Sequence, residues 1–159
     1  MPNVWPVELF YKIMLQLFGH KSVALFDIWT IEHFFSGANL GVFFLLMRSR
    51  FNLGDDPRTK LMLEFFFVLA LELFWEITEH YFEAGTLIPS FQYWFQGVEC
   101  YANRAISDPI ITMAGFFFIK KFAQFRIFSS VFSAIWLFFH VVIFPHSMYL
   151  QDKIVNYFT

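Results

Sequence analysis

The sequence predicts an all-α fold, a four-helix transmembrane bundle with an N-terminal interfacial amphipathic helix and a long outer connection between the second and third spans. The chain is 58% hydrophobic and 23% aromatic, with 26 phenylalanines, far above the usage of a soluble domain. Four stretches approach the roughly 20 mostly apolar residues that a helix needs to cross a bilayer. We therefore expect residues 1–159 to form a single integral membrane domain.

The interfacial helix is predicted over residues 5–19. Its apolar side chains recur at helical spacing opposite Glu8, Lys12 and Gln16, which is typical of a helix lying in the membrane surface. Gly19 marks its end. The N-terminus lacks the basic-then-apolar order of a cleaved signal peptide, so we expect the mature protein to begin near its first residue.

The membrane spans are predicted over residues 24–47, 61–83, 109–126 and 127–147. The second and fourth are clear from their apolar content. The third is interrupted by Lys120 and Lys121, which we expect to extend toward lipid headgroups. It opens with Ser107-Asp108-Pro109, a capping residue followed by proline at the first helical position, which predicts a helix start.

The second and third spans are joined by residues 84–107, which contain glycines, a proline and an aromatic run from Phe91 to Phe95. Connections of this length usually have structure of their own or a function. We predict an interfacial or re-entrant segment.

Basic residues in the short loops predict the orientation. The loop after the first span carries Arg48, Arg50, Arg58 and Lys60, whereas the connection after the second carries only Arg104. The positive-inside rule then places both chain ends outside, in a multi-pass protein of the bacterial inner membrane. It also places the unusual acidic and histidine residues of separate spans together in the outer half of the bundle.

The strongest candidate site is a stripe of acidic residues on the second span. Glu72, Glu76, Glu79 and Glu83 share one helical face, and His80 lies beside them. Stacked like charges repel one another and lose hydration in a low-dielectric setting. The stripe therefore requires protons, a cation or partner groups from neighbouring helices.

A metal site is one interpretation of this stripe. Glu76, Glu79, His80 and His33 are the predicted ligands, and a divalent metal ion is the candidate cofactor, although the Glu-x-x-His spacing of di-iron bundles is absent. A second interpretation is a metal-free catalytic or proton-handling site. A third is a hydrated surface cluster that pairs with Arg104 or backbone donors.

Other kinds of site fit less well. Haem ligation by histidines on several spans is disfavoured by the carboxylates around them, and His140 is expected to bond a serine or a carbonyl. Lone Cys100 excludes an internal disulfide framework and a cysteine-rich metal site. The net charge of −2 and the lack of a basic patch argue against a nucleic-acid partner. No nucleophile elbow or phosphate loop is visible.

The polar residues of the second span and the connection occur in a distinctive order. The order is Glu72-x-x-Trp75-Glu76-x-x-Glu79, then Gly97-x-Glu99-x-x-x-Asn103-x-x-x-Ser107-Asp108, then Gly115-Phe116. It resembles the VanZ-like superfamily, closest to a branch of small uncharacterised bacterial integral membrane proteins, over about residues 26–120. The branch has Asn where this chain has His80, and Asp-Ser where it has Val98-Glu99. The resemblance implies at least four membrane helices and a polar site built from Glu76, Glu79, Asn103 and Asp108.

We expect an outward-facing carboxylate and histidine site that binds or processes a lipid-linked or cell-envelope substrate. The candidate catalytic residues are Glu76, Glu79 and Asp108. The candidate substrate-binding residues are Glu72, Glu99, Asn103 and Arg104. Whether the protein is an enzyme stays open, and the alternative is a non-enzymatic accessory subunit of a larger membrane complex. Membrane lipids are the expected partners, with a larger complex or a homo-oligomer as further possibilities.

Overall fold

The computed structural model describes residues 17–47, 56–95 and 97–143, and these residues form helices joined by loops. The α-helices are α1 (Thr30–Met47), α2 (Pro57–Glu83), α3 (Asp108–Lys121) and α4 (Arg126–Phe138). Short 3₁₀ or π-helical segments cover Pro89–Tyr93, Asn103–Ser107, Ala123–Phe125 and Phe139–Ile143. The predicted interfacial helix over 5–19 lies, except for its last three residues, outside the described part of the chain.

The ends of α2 follow from local sequence. The Asp56 side chain accepts a hydrogen bond of 2.8 Å from the backbone N–H of Thr59, and Pro57 occupies the first helical position. This capping starts the helix four residues before the predicted span at 61. The chain leaves the helix through Gly85, whose φ of +67° is readily adopted only by glycine.

The predicted helix start at Ser107-Asp108-Pro109 coincides with the first residue of α3, but the expected capping bond is absent. Ser107 has helical backbone angles and makes no capping bond, because the chain is already helical from residue 101. The turn before α3 is π-helical, and the N–H of Asp108 donates to the carbonyl of Asn103. Pro109 has no N–H to give to the ladder, and a π-turn accommodates this interruption.

The closest packing is between α1 and α3, where glycines face backbone. A Cβ on Gly37 would lie 1.8 Å from the carbonyl oxygen of Thr112, and one on Gly115 would lie 1.9 Å from that of Phe34. The Thr112 hydroxyl donates to the carbonyl of His33 at 3.1 Å. The glycine-bearing faces of these helices are therefore their contact surface.

Within the described residues, two helical segments are long and apolar enough to cross a membrane, namely Thr30–Met47 and Ala123–Ile143. They fall within or near the first and fourth predicted spans. α2 has 27 residues and is longer, but it is too charged to qualify on composition. At 1.5 Å per residue it measures about 40 Å, more than the roughly 30 Å of a hydrocarbon core.

Most buried side chains are polar or charged, and many large apolar side chains are exposed, which is the reverse of a soluble protein. Among the described residues, sixteen polar or charged side chains are buried, against seven hydrophobic ones. Phenylalanine, leucine and isoleucine dominate the exposed surface, as at Phe66, Phe74 and Ile77 on α2. The small apolar core around Phe44, Val68, Met113 and Phe116 lies between α1, α2 and α3. An exterior of this kind suits lipid better than water.

Candidate functional site

The buried face of α2 is made almost entirely of glutamate. Its buried residues are Glu64, Val68, Glu72, Glu76, Glu79 and Glu83. The predicted stripe therefore faces the interior of the protein. Burial of this many carboxylates is tolerated only where cations, protons or donors from neighbouring elements compensate them.

An acidic cluster forms where α2 meets the connection and the start of α3. Glu76, Glu99 and Asp108 each contribute a carboxylate oxygen to a group whose members lie within 4.8 Å of one another. The side chain of Asn103 supports it, because Nδ2 donates to Glu99 Oε1 at 3.0 Å and to Asp27 Oδ2 at 3.3 Å. The predicted polar site from separate segments is thus present in the described residues.

His33 connects this cluster to the rest of the stripe. Its Nδ1 lies 2.7 Å from Glu72 Oε1 and 3.5 Å from Glu76 Oε1, while its Nε2 lies 3.8 Å from Asp108 Oδ2. A carboxylate that accepts a proton from Nδ1 fixes the ring and directs Nε2 toward Asp108. The imidazole is 5% exposed, so this arrangement is shielded from bulk solvent.

Glu83 anchors the other end of the stripe. It forms an ion pair with the buried Lys21, and its Oε2 accepts a 2.6 Å hydrogen bond from Arg104 Nη2. The same oxygen accepts the backbone N–H of Glu99 at 3.0 Å, and Gln92 Nε2 donates to the Glu83 carbonyl at 3.1 Å. One carboxylate therefore joins α2 to the connection and to the N-terminal segment around Lys21, which precedes α1.

Glu99 lies on the connection and is 6% exposed. Burial, together with the charges of Glu79 and Asp108, raises the pKa of Glu99 to about 10. The anionic form of this side chain is therefore unfavourable unless a positive charge approaches it.

A cavity of about 380 Å³ opens beside the stripe. Aromatic rings of α2, of the connection and of Trp29 just before α1 form much of its wall, and Glu32, His33, Glu79 and His140 supply ionisable groups. Trp94 closes one side by donating its indole N–H to the carbonyl of Val141 at 3.2 Å. Apolar walls with a few convergent polar groups are the usual composition of a small-molecule binding site.

A second histidine and carboxylate pair faces this cavity. His140 Nδ1 lies 2.8 Å from Glu32 Oε1, and the ring lies between the indoles of Trp29 and Trp136 at centroid distances of 4.8 and 4.5 Å. The expectation that His140 bonds a serine or a carbonyl is wrong. The two residues are 108 positions apart, so no local pattern reveals the pair.

The structure brings together most of the predicted site residues. Glu72, Glu76, Glu99, Asn103, Asp108 and His33 meet around the acidic cluster, and Glu79 lines the cavity. His80 lies outside the cluster at an exposed position, with Nδ1 3.3 Å from Arg104 Nη1. Glu79 and Glu83 lie on the buried face of α2, and His80, between them in sequence, lies outside that face.

Some residues of the site have no signal in the sequence. Lys21 was not singled out, although it is 1% exposed and paired with Glu83. Lys120, expected to extend toward headgroups, instead forms an ion pair with the buried Glu64. A lysine near the end of an apolar helix has the same local sequence pattern whether it extends to headgroups or pairs with a buried carboxylate. Only the position of α2 decides between these two outcomes.

The fold and the site define an all-helical protein with two segments suited to cross a membrane and a buried group of carboxylates and histidines beside an aromatic cavity. No family model, curated protein or solved structure matches this chain.

Proposed function

We propose that this chain is a multi-pass membrane protein whose outward-facing carboxylate and histidine site binds or processes a lipid-linked or cell-envelope substrate. The observation that carries the proposal is the cavity, which combines aromatic walls with ionisable groups. A hydrocarbon or prenyl chain suits the walls, and a polar head suits the ionisable groups, among them His33 and Glu79. An amphiphile offers both chemistries in one molecule.

The proposed membrane arrangement extends the two qualifying segments to four spans, with α2 and α3 completing the bundle. The polar interior of α2 and its apolar exterior support this, because a glutamate face turned inward removes the charge from lipid. Both termini lie outside, in the bacterial inner membrane, as the loop charges predict.

The residues have separate roles in the proposal. Glu79 lines the cavity and is the candidate general base, and His33 and His140 each hold Nδ1 on a carboxylate, which directs the other ring nitrogen away from that partner. A histidine held in this way can take up or release a proton at Nε2. Glu76 and Asp108 lie behind them in the acidic cluster.

The test is to identify what the purified protein carries. We expect an amphiphile to be released on organic extraction and detected by mass spectrometry. Val141→Trp, which adds bulk at the cavity wall, should remove it. The matched control is Val142→Trp, since Val142 is 60% exposed and does not line the cavity.

Equal amphiphile in both variants, or none in the unaltered protein, would contradict the proposal. Isolation at fixed stoichiometry with larger membrane proteins, with an empty cavity, would instead favour the accessory subunit.

A further inference from the structure

The acidic cluster contains buried carboxylate oxygens that accept no hydrogen bond. Among the described residues, both oxygens of Glu76, both of Asp108 and Oε2 of Glu99 lack such a partner. The three side chains are at most 6% exposed. Buried polar atoms are nearly always satisfied, so a group of such acceptors close to one another has the chemistry of a cation site.

We propose that Glu76, Glu99 and Asp108 form the binding site for one hard divalent cation of the Mg²⁺, Mn²⁺ and Ca²⁺ class. Their oxygens lie within 4.8 Å of one another. Metal–oxygen distances of about 2.1–2.5 Å place the oxygens around such an ion roughly 3–5 Å apart. The cluster therefore has the size of a coordination shell.

The balance of charge supports a cation. Six carboxylates are buried in the stripe and cluster, namely Glu72, Glu76, Glu79, Glu83, Glu99 and Asp108. Only three basic groups pair with them among the described residues, namely Lys21, Arg104 and His33. A divalent ion at the centre of the excess negative charge offsets most of it.

Arg104 does not take the place of this ion. Its one short contact with a carboxylate is the 2.6 Å bond to Glu83, and its distances to Glu76 Oε2 and Glu99 Oε2 are both 3.5 Å. Arg104 Nε has no hydrogen-bond partner among the described residues. The guanidinium thus hydrogen-bonds Glu83 and makes no hydrogen bond to the three carboxylates of the cluster.

The donor set selects the class of ion. All three groups offer oxygen, which suits Mg²⁺, Mn²⁺ and Ca²⁺ and is a poor match for ions that prefer nitrogen or sulfur. His33 is already paired with Glu72 through Nδ1. Asn103 holds Glu99 in place through Nδ2, the kind of outer contact that orients a metal ligand. This proposed ligand set keeps Glu76 from the predicted metal ligands and does not use Glu79, His80 or His33.

The proposed metal site lies beside the proposed substrate cavity and adds a cofactor to the proposed function. It rests on the geometry of the acidic cluster and not on what the cavity contains.

The experiment uses the full-length protein, purified in detergent and freed of metal with a chelator. Mn²⁺ binding is followed by electron paramagnetic resonance and by calorimetry. We expect one Mn²⁺ per chain, displaced by Ca²⁺ or Mg²⁺.

Glu76→Gln and Asp108→Asn should each weaken Mn²⁺ binding by roughly 10-fold or more, since each removes a charged ligand. Glu64→Gln is the matched control, because Glu64 is equally buried on the same helix but pairs with Lys120. If a cluster variant does not fold, Glu99→Gln replaces it, and thermal melts establish which variants are folded.

No Mn²⁺ binding by the unaltered protein, or equal loss in Glu64→Gln and the cluster variants, would overturn the inference. Val141→Trp separates the two proposals, because it should abolish amphiphile binding and leave Mn²⁺ binding intact. Mn²⁺ binding without any amphiphile would refute the proposed function alone.

Discussion

At the scale of single residues, Glu83 does the most to hold the site together. It contacts Lys21, Arg104 and the backbone of Glu99, which belong to the N-terminal segment and the connection. The residues Glu83 and Lys21 are each 1% exposed. Removing one member of a buried ion pair leaves the other without a counter-charge in a low-dielectric environment.

We therefore expect Glu83→Gln to lower the free energy of unfolding by about 3–5 kcal/mol, the usual cost of breaking a buried pair. Equilibrium unfolding in detergent measures this. Adding Lys21→Met should recover part of the loss, because the stranded ammonium is removed. An unaltered unfolding free energy in the single variant would show that Glu83 does not anchor these segments.

At the scale of elements, the crossing of α1 and α3 sets the position of His33 and Asp108. The two helices approach so closely that Gly37 and Gly115 each face a carbonyl oxygen of the other helix. Neither backbone can move without shifting a whole helix, and with it one side of the acidic cluster. Gly41 differs, because its nearest neighbour would be 3.1 Å from an added Cβ.

Gly37→Ala and Gly115→Ala should each destabilise the protein by about 1–3 kcal/mol or more, the range for overpacking, and Gly41→Ala by less. Thermal melts of the three variants in the same detergent test this order. Equal melting temperatures for all three would contradict the close crossing.

The elements also show what the sequence can predict. The glutamate face of α2 follows from helical periodicity and is confirmed by its burial. The sequence does not predict that helical backbone extends back to residue 101, because Ser107 and Pro109 have the local pattern of a helix start. The pairs of Glu32 with His140 and of Lys21 with Glu83 depend on how distant segments pack, which periodicity does not encode.

At the scale of the whole molecule, the inside-out distribution links the fold to the proposed function. Carboxylates and histidines occupy the interior, and phenylalanine and leucine cover the exterior. In water such a surface would associate, whereas in a bilayer it is solvated by acyl chains. In the proposed function, the cavity gives a lipid-linked substrate access to the buried carboxylates and histidines without full exposure to water.

The most direct test of this account is an experimental structure of the full chain, purified from its native membrane and held in a lipid nanodisc. We expect acyl chains against Phe66, Phe74 and Ile77, and elongated density in the cavity with its polar end near Glu79 and His33. The account would be contradicted by an empty cavity together with a protein partner covering that apolar face, or by Glu76, Glu99 and Asp108 lying apart.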